Sequence, residues 1–97
     1  MDKRFWVYIM ADEPYGTLYV GVTSHLAQRA WQHRTGAFEG HTKKYGIKCL
    51  VYYEEYPTAE EGFAREKKLK KWKRIWKIDL VKAFNPTWRD LYDDLRK

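Results

Sequence analysis

Two short apolar runs near the amino terminus constrain the possible folds of this chain more than any other feature. They are Phe5-Trp6-Val7-Tyr8-Ile9 and Leu18-Tyr19-Val20-Gly21-Val22, with turn chemistry at Pro14 and Gly16 between them. Read with a period of two, they place Val7 and Ile9 on one face of a hairpin, together with Leu18, Val20 and Val22. The opposite face receives Tyr8 and Tyr19, so such a hairpin holds two phenols close together. Arg29 follows ten residues after Tyr19, on a segment that reads as a helix. Two phenols beside a guanidinium, in a chain of formal net charge +6, point to phosphate chemistry.

The remaining elements follow from caps and breakers. Strands are expected over roughly residues 4–11 and 17–23, then a helix capped by Ser24 and ended by Gly36 after Thr35. A polar loop from Phe38 to Gly46 carries His41, Thr42, Lys43 and Lys44, and a third strand spans 48–56. Thr58 with Glu61 forms a capping box for the longest helix, which the pattern carries to about Arg74. A shorter helix covers Trp76 to Phe84, Asn85-Pro86 breaks the chain, and Thr87 with Asp90 caps a last helix ending near Leu95. The order β-β-α-β-α plus carboxy-terminal helices predicts an α+β fold.

At 97 residues the chain has room for one core, so one domain is expected. Five Trp and eight Tyr supply bulk that offsets the small size. Cys49 is the single cysteine, which excludes an internal disulfide and a cysteine metal cluster within the chain. On a strand it reads as a small hydrophobe. No apolar run approaches the length of a membrane span and the amino terminus lacks a secretory pattern, so a cytoplasmic setting is expected.

Arg29 and His33 lie four apart and share a helix face beside Leu26 and Ala30, near the junction with the sheet. There a guanidinium forks onto phosphate oxygens and an imidazole shuttles a proton; solvated helix positions are the other reading. On the long helix Ala59, Gly62, Phe63, Glu66 and Leu69, then Trp72 or Trp76, form the inward stripe, which Glu66 interrupts. A carboxylate against a core needs a partner, and two answers remain open: a divalent cation, or a surface pair with Lys70. Lys67, Lys70, Lys71 and Arg74 form a cationic flank beside that stripe, suited to sequence-independent contact with nucleic-acid phosphates or simply solvated.

Taken together, Val7-Tyr8, Tyr19-Val20-Gly21, Arg29 and Glu66 resemble the GIY-YIG nuclease superfamily. The likeness is to its small stand-alone bacterial members, related to the amino-terminal nuclease domain of the bacterial excinuclease. It runs through Ala64-Arg65-Glu66-Lys67 to Asn85-Pro86-Thr87-Trp88. The resemblance implies a small three-stranded antiparallel sheet flanked by helices, and metal-dependent endonucleolytic hydrolysis of DNA, in repair or recombination. It assigns Tyr8, Tyr19, Arg29 and His33 to catalysis, Gly21 and Thr23 to the structural motif, and Glu66 to one Mg²⁺ or Mn²⁺ ion. Asn85 falls where the family carries a late polar residue.

Trp6 replaces the first motif's glycine, and Val22 stands where excinuclease-like domains have a lysine. Lys3, Arg34 or the Lys43-Lys44 pair are the candidates to supply that cation. The mechanism expected is a phenol, Tyr8, acting as general base, with the metal and Arg29 on the phosphate. A phenol of pKa about 10 is ionised only about one part in a thousand at pH 7, a deficit of roughly 4 kcal/mol. Two rival readings are a non-catalytic nucleic-acid-binding module and a protein adaptor using the Trp-rich carboxy-terminal segment. Most nucleases of this type borrow targeting from appended domains and none is visible here, so a protein partner for targeting is a further expectation.

Overall fold

The structure, a computed structural model, describes residues 4–36 and 45–95. Lys3 and most of the polar loop, including Lys43 and Lys44, lie outside the described residues. The described chain forms β1 (Phe5–Ala11), β2 (Leu18–Thr23), α1 (Leu26–Thr35), β3 (Cys49–Tyr56), α2 (Ala59–Lys71), α3 (Arg74–Phe84) and the one-turn α4 (Tyr92–Leu95). The α+β expectation holds.

The sheet is antiparallel and three-stranded, in the order β2-β1-β3. β1 is central and its last five residues are buried, because helices cover both faces of the sheet. Val7, Ile9, Val20 and Tyr52 join Leu69 of α2 and Val81 of α3 on one face. Tyr8, Met10 and Leu50 join Leu26 and Ala30 of α1 and Leu91 on the other. A register shift between Ile9 and Met10 leaves Val51 without an opposite number on β1.

α1 turns its buried residues Leu26, Ala30 and His33 to the sheet, at helical spacing. It ends where expected: Gly36 is left-handed and its N–H reaches the His33 carbonyl at 3.2 Å. Its start differs. His25, not Ser24, is the flanking residue; the Thr23 hydroxyl accepts the His25 N–H at 3.1 Å, and Ser24 Oγ lies 2.9 Å from His25 Nδ1.

The long helix does begin at Thr58, whose hydroxyl accepts the Glu61 N–H at 3.2 Å. It stops at Lys71 rather than Arg74, with Trp72 in extended conformation. No glycine or proline marks that break. Leu69 and Val81 sit in one core cluster, yet a continuous helix would carry them about 18 Å apart over twelve residues. Turning at Trp72 brings both onto the sheet.

The carboxy-terminal stretch closes the other face. Asn85 is buried and its amide donates to the carbonyls of Val51 and Arg89 at 3.2 and 2.9 Å. Asp90, not Thr87, caps the last turn, accepting the N–H of Tyr92 and also that of Leu50 on β3. Among the described residues no helix is long and apolar enough to cross a membrane.

Candidate active site

The β1–β2 register places Tyr8 opposite Gly21 and Met10 opposite Tyr19, so both phenols occupy the face that α1 covers. Gly21 is required there by the Tyr8 side chain. A Cβ at position 21 would sit 2.5 Å from the Tyr8 hydroxyl oxygen and 2.6 Å from Cζ, so Tyr8 lies across a gap that only glycine leaves. His33 comes down from α1 onto the same spot. Its Nε2 is 3.2 Å from the Tyr8 hydroxyl, and its ring centroid is 5.8 and 5.6 Å from those of Tyr8 and Tyr19.

This corner is buried: Tyr8 is 1 % exposed and His33 2 %. Burial pushes the Tyr8 phenol well above its ordinary pKa; Tyr19 and Glu66 add to the rise, and Arg29 opposes it. Burial, then the Arg29 guanidinium, pulls His33 down to about 4. At neutral pH both groups are uncharged, and in the tautomer protonated at Nδ1 the imidazole accepts the phenol proton. His33 is therefore a core residue facing a phenol rather than a solvated helix position.

Arg29 is half-buried, one turn before His33, and Glu66 approaches from α2. Both lie near enough to act electrostatically on the Tyr8 hydroxyl. The Glu66 side chain is 18 % exposed and its Oε2 is 3.3 Å from Lys70 Nζ. Of the two partners considered for this carboxylate, the structure shows the lysine. Thr23 sits at the end of β2 and orders the entry to α1 through the His25 N–H.

Phe63 and Trp76, expected to point inward, are about half exposed; only Gly62 and Leu69 of α2 are buried. Of the cationic flank, Lys67 and Lys71 are exposed and Lys70 is paired with Glu66. Arg74 belongs to α3 and donates through Nη2 to the carbonyls of Tyr15 and Gly16, both at 2.6 Å, fastening the β1–β2 turn. Arg34 is held by Asp93 and Asp90, 3.2 and 3.9 Å away, at the carboxy-terminal segment. Burial, with Asp90 adding to it, pushes the Cys49 thiol up, consistent with an inert strand cysteine.

One group escaped the sequence reading. Glu54 on β3 accepts from the hydroxyls of Tyr52 and Tyr56 and from Nε of Arg65 at 2.6 Å. Burial alone would raise its pKa, but these hydrogen bonds together hold the carboxyl below its usual range. Tyr52, Glu54 and Tyr56 repeat with a period of two, a signal that was available in the sequence. The network fixes α2 to β3 through Arg65, next to Glu66.

Beside Arg29 opens a cavity of about 280 Å³ between the first turns of α1, the end of β2 and Phe63 of α2. Its walls include Arg29 and Thr23 but neither phenol, nor His33, nor Glu66. Arg29 thus stands between the buried phenol corner and an open groove.

Residues 4–79 match the GIY-YIG catalytic domain. The chain belongs to the GIY-YIG family. It is 35 % identical over 81 residues to a UPF0213 protein of Staphylococcus epidermidis, covering 84 % of this chain and 96 % of that one. A UPF0213 protein of Staphylococcus aureus is 35 % identical over 82 residues, with 84 % and 98 % covered. The solution NMR structure of a UPF0213 protein from Bacillus halodurans superposes with a TM-score of 0.51 at 29 % identity, covering 82 % of this chain and 84 % of that one. The GIY-YIG match spans both strands of the hairpin, α1 and α2, the elements that carry Tyr8, Tyr19, Arg29, His33 and Glu66.

Proposed function

We propose that this GIY-YIG protein is a metal-dependent endonuclease that hydrolyses phosphodiester bonds in DNA. The observation that carries the reading is the buried corner of Tyr8, Tyr19 and His33, with Arg29 of α1 and Glu66 of α2 near enough to act electrostatically on the Tyr8 hydroxyl. No group of three or more His, Cys, Asp or Glu placed to hold a metal occurs among the described residues. A lone carboxylate at the edge of solvent, leaving other positions to water and phosphate oxygens, is a donor set that fits Mg²⁺ or Mn²⁺. Bound at Glu66, one such ion supplies positive charge to the scissile phosphate and the leaving oxygen.

The chain's own groups divide the remaining work. Arg29 forks onto the phosphate oxygens and stabilises the charge that develops there. Burial keeps Tyr8 protonated at rest, so the simple picture of a free phenolate base needs revision. Because His33 is neutral and lies against the hydroxyl, Tyr8 takes a proton from the attacking water as it passes its own to Nε2. Tyr19 packs beside the pair, its ring centroid 6.4 Å from that of Tyr8 and 5.6 Å from that of His33. Lys67 and Lys71 attract the nucleic-acid backbone without reading sequence.

Cleavage assays with Mg²⁺ and Mn²⁺ on single-stranded, duplex and branched DNA test the reading. Tyr8→Phe, Arg29→Ala and Glu66→Gln should each abolish turnover while circular dichroism stays native. Cleavage that persists in all three places the activity elsewhere. The burial of Tyr8 and the Glu66–Lys70 pair favour one alternative, a binding module that does not cleave. Its signature is salt-sensitive binding to every substrate with turnover on none.

A further inference from the structure

We infer that the cavity at the head of α1 is a nucleobase subsite, which takes one unstacked base of the strand whose phosphate Arg29 holds. The inference rests on the proposed role of Arg29 and extends it to substrate selection. The cavity, about 280 Å³, has an apolar wall of Phe5, Val22 and Phe63 and a polar wall of Gln28, Gln32 and Arg29. A base has the same division, with two apolar faces and a hydrogen-bonding edge.

Phe63 is the first reason. It lies on a helix whose other outward residues are mostly charged, yet its ring is 50 % exposed and enters neither core cluster. Of the two phenylalanines on the cavity wall Phe63 is the more exposed, and an exposed aromatic ring beside a phosphate clamp is what a stacking platform requires. Gln28 and Gln32 are the second. Four residues apart on α1, they face the cavity, and neither side chain makes a hydrogen bond among the described residues. Their amides offer both donors and acceptors, which suits base edges and leaves the site tolerant of sequence.

Continuity with the proposed active site is the third. Arg29 lines the cavity and also acts on the Tyr8 hydroxyl. Phe63 is three residues before Glu66 on α2, so both fall toward one side of that helix. A nucleotide carries its base one sugar away from its phosphate, and this groove lies beside the guanidinium. A base reaches it only after leaving the stack, so unpaired nucleotides next to the cleaved bond are favoured over regular duplex.

The test uses the full chain and fluorescein-labelled single-stranded oligonucleotides, intact or with one abasic nucleotide walked along the strand. Binding is measured in chelator by anisotropy, and cleavage separately in Mn²⁺. Base–aromatic stacking is worth roughly 5- to 150-fold in affinity per base. Phe63→Ala should therefore weaken binding of the intact strand by about tenfold, and Phe63→Trp should retain it. One abasic position should cost the wild type about the same factor and cost Phe63→Ala almost nothing more.

Equal affinity of wild type and Phe63→Ala for the intact strand overturns the inference. So does an abasic penalty that is the same in both proteins. Binding without cleavage, with the non-additive pattern present, keeps the subsite and removes the nuclease reading. Cleavage with Phe63→Ala unchanged in affinity and rate keeps the nuclease and removes the subsite. Binding to no oligonucleotide removes both.

Discussion

Gly21→Ala tests the geometry of the site without removing any group from it. The added Cβ would lie 2.5 Å from the Tyr8 oxygen, 2.6 Å from Cζ and 3.0 Å from Cε1, so the ring has to move. It has little room, since Tyr8 is 1 % exposed and its hydroxyl meets His33 at 3.2 Å. Forcing extra volume into a packed site costs about 1–3 kcal/mol, and losing the phenol–imidazole hydrogen bond about 0.5–1.5 more. Replacing glycine lowers the entropy of the unfolded chain and offsets about 0.4–1 kcal/mol. The net loss expected is roughly 0.5–4 kcal/mol, read from urea unfolding as a lower midpoint with an unchanged slope. Cleavage should fall with it, because the displaced hydroxyl no longer meets His33.

A double-mutant cycle makes the cause specific. In a Tyr8→Ala background the obstructing ring is absent, so Gly21→Ala should no longer destabilise, leaving stability unchanged or raised by up to about 1 kcal/mol. Tyr8→Phe gives no such relief, because Cζ still stands 2.6 Å from the new methyl group. Equal costs of Gly21→Ala in the wild-type and Tyr8→Ala backgrounds would refute the reasoning, since the clash would then lie with something other than Tyr8.

Four other outcomes follow from the same structure. Unfolded, His33 binds a proton below pH 6.5 but folded only below about 4, so stability should fall by up to roughly 3 kcal/mol as pH drops through that window. Thermal melts from pH 7 to 4 should show His33→Gln losing less than wild type. Glu54 has its pKa held down, so its contribution is present above the ordinary carboxylate range and disappears as pH falls through the folded value. Glu54→Leu, which leaves Arg65 without its carboxylate, should cost roughly 1–3 kcal/mol at pH 7 in urea unfolding. Arg74→Gln should destabilise by roughly 1–2 kcal/mol, with faster amide exchange in the β1–β2 turn and the salt slope of DNA binding unchanged. Lys67→Gln and Lys71→Gln should each reduce that slope by about one instead.

What could be read from the sequence was set by local chemistry. The period of two at Tyr8 and Tyr19, the Thr58 cap and the left-handed Gly36 depend on a few neighbouring residues, and all three occur as read. A break between the two helices is legible near Ile75, but its place at Trp72 is not, because that depends on the distance between Leu69 and Val81 in a shared core, which no local residue announces. Likewise α1 begins at His25 without a side-chain cap, since Ser24 turns its hydroxyl to the neighbouring imidazole and Thr23 holds only the His25 N–H.

The stripe of α2 shows why spacing located Glu66 but misjudged its neighbours. Helical period identifies one side of a helix; it does not say where the surface beneath that side ends. A Cβ on Gly62 would meet Val22 at 3.2 Å, so this turn of α2 lies directly on β2, the edge strand. Leu69, two turns on, is over the sheet and fully buried. Phe63, adjacent to the glycine, falls past the strand into the groove that Arg29 lines, while Glu66 remains at the margin, partly exposed. Gly21 on β2 makes room for the Tyr8 ring, and Gly62 lets α2 lie close over Val22 of the same strand. Residues from α1 and α2 thus meet at one phenol through the edge strand between them, a property of the packed sheet rather than of any single segment.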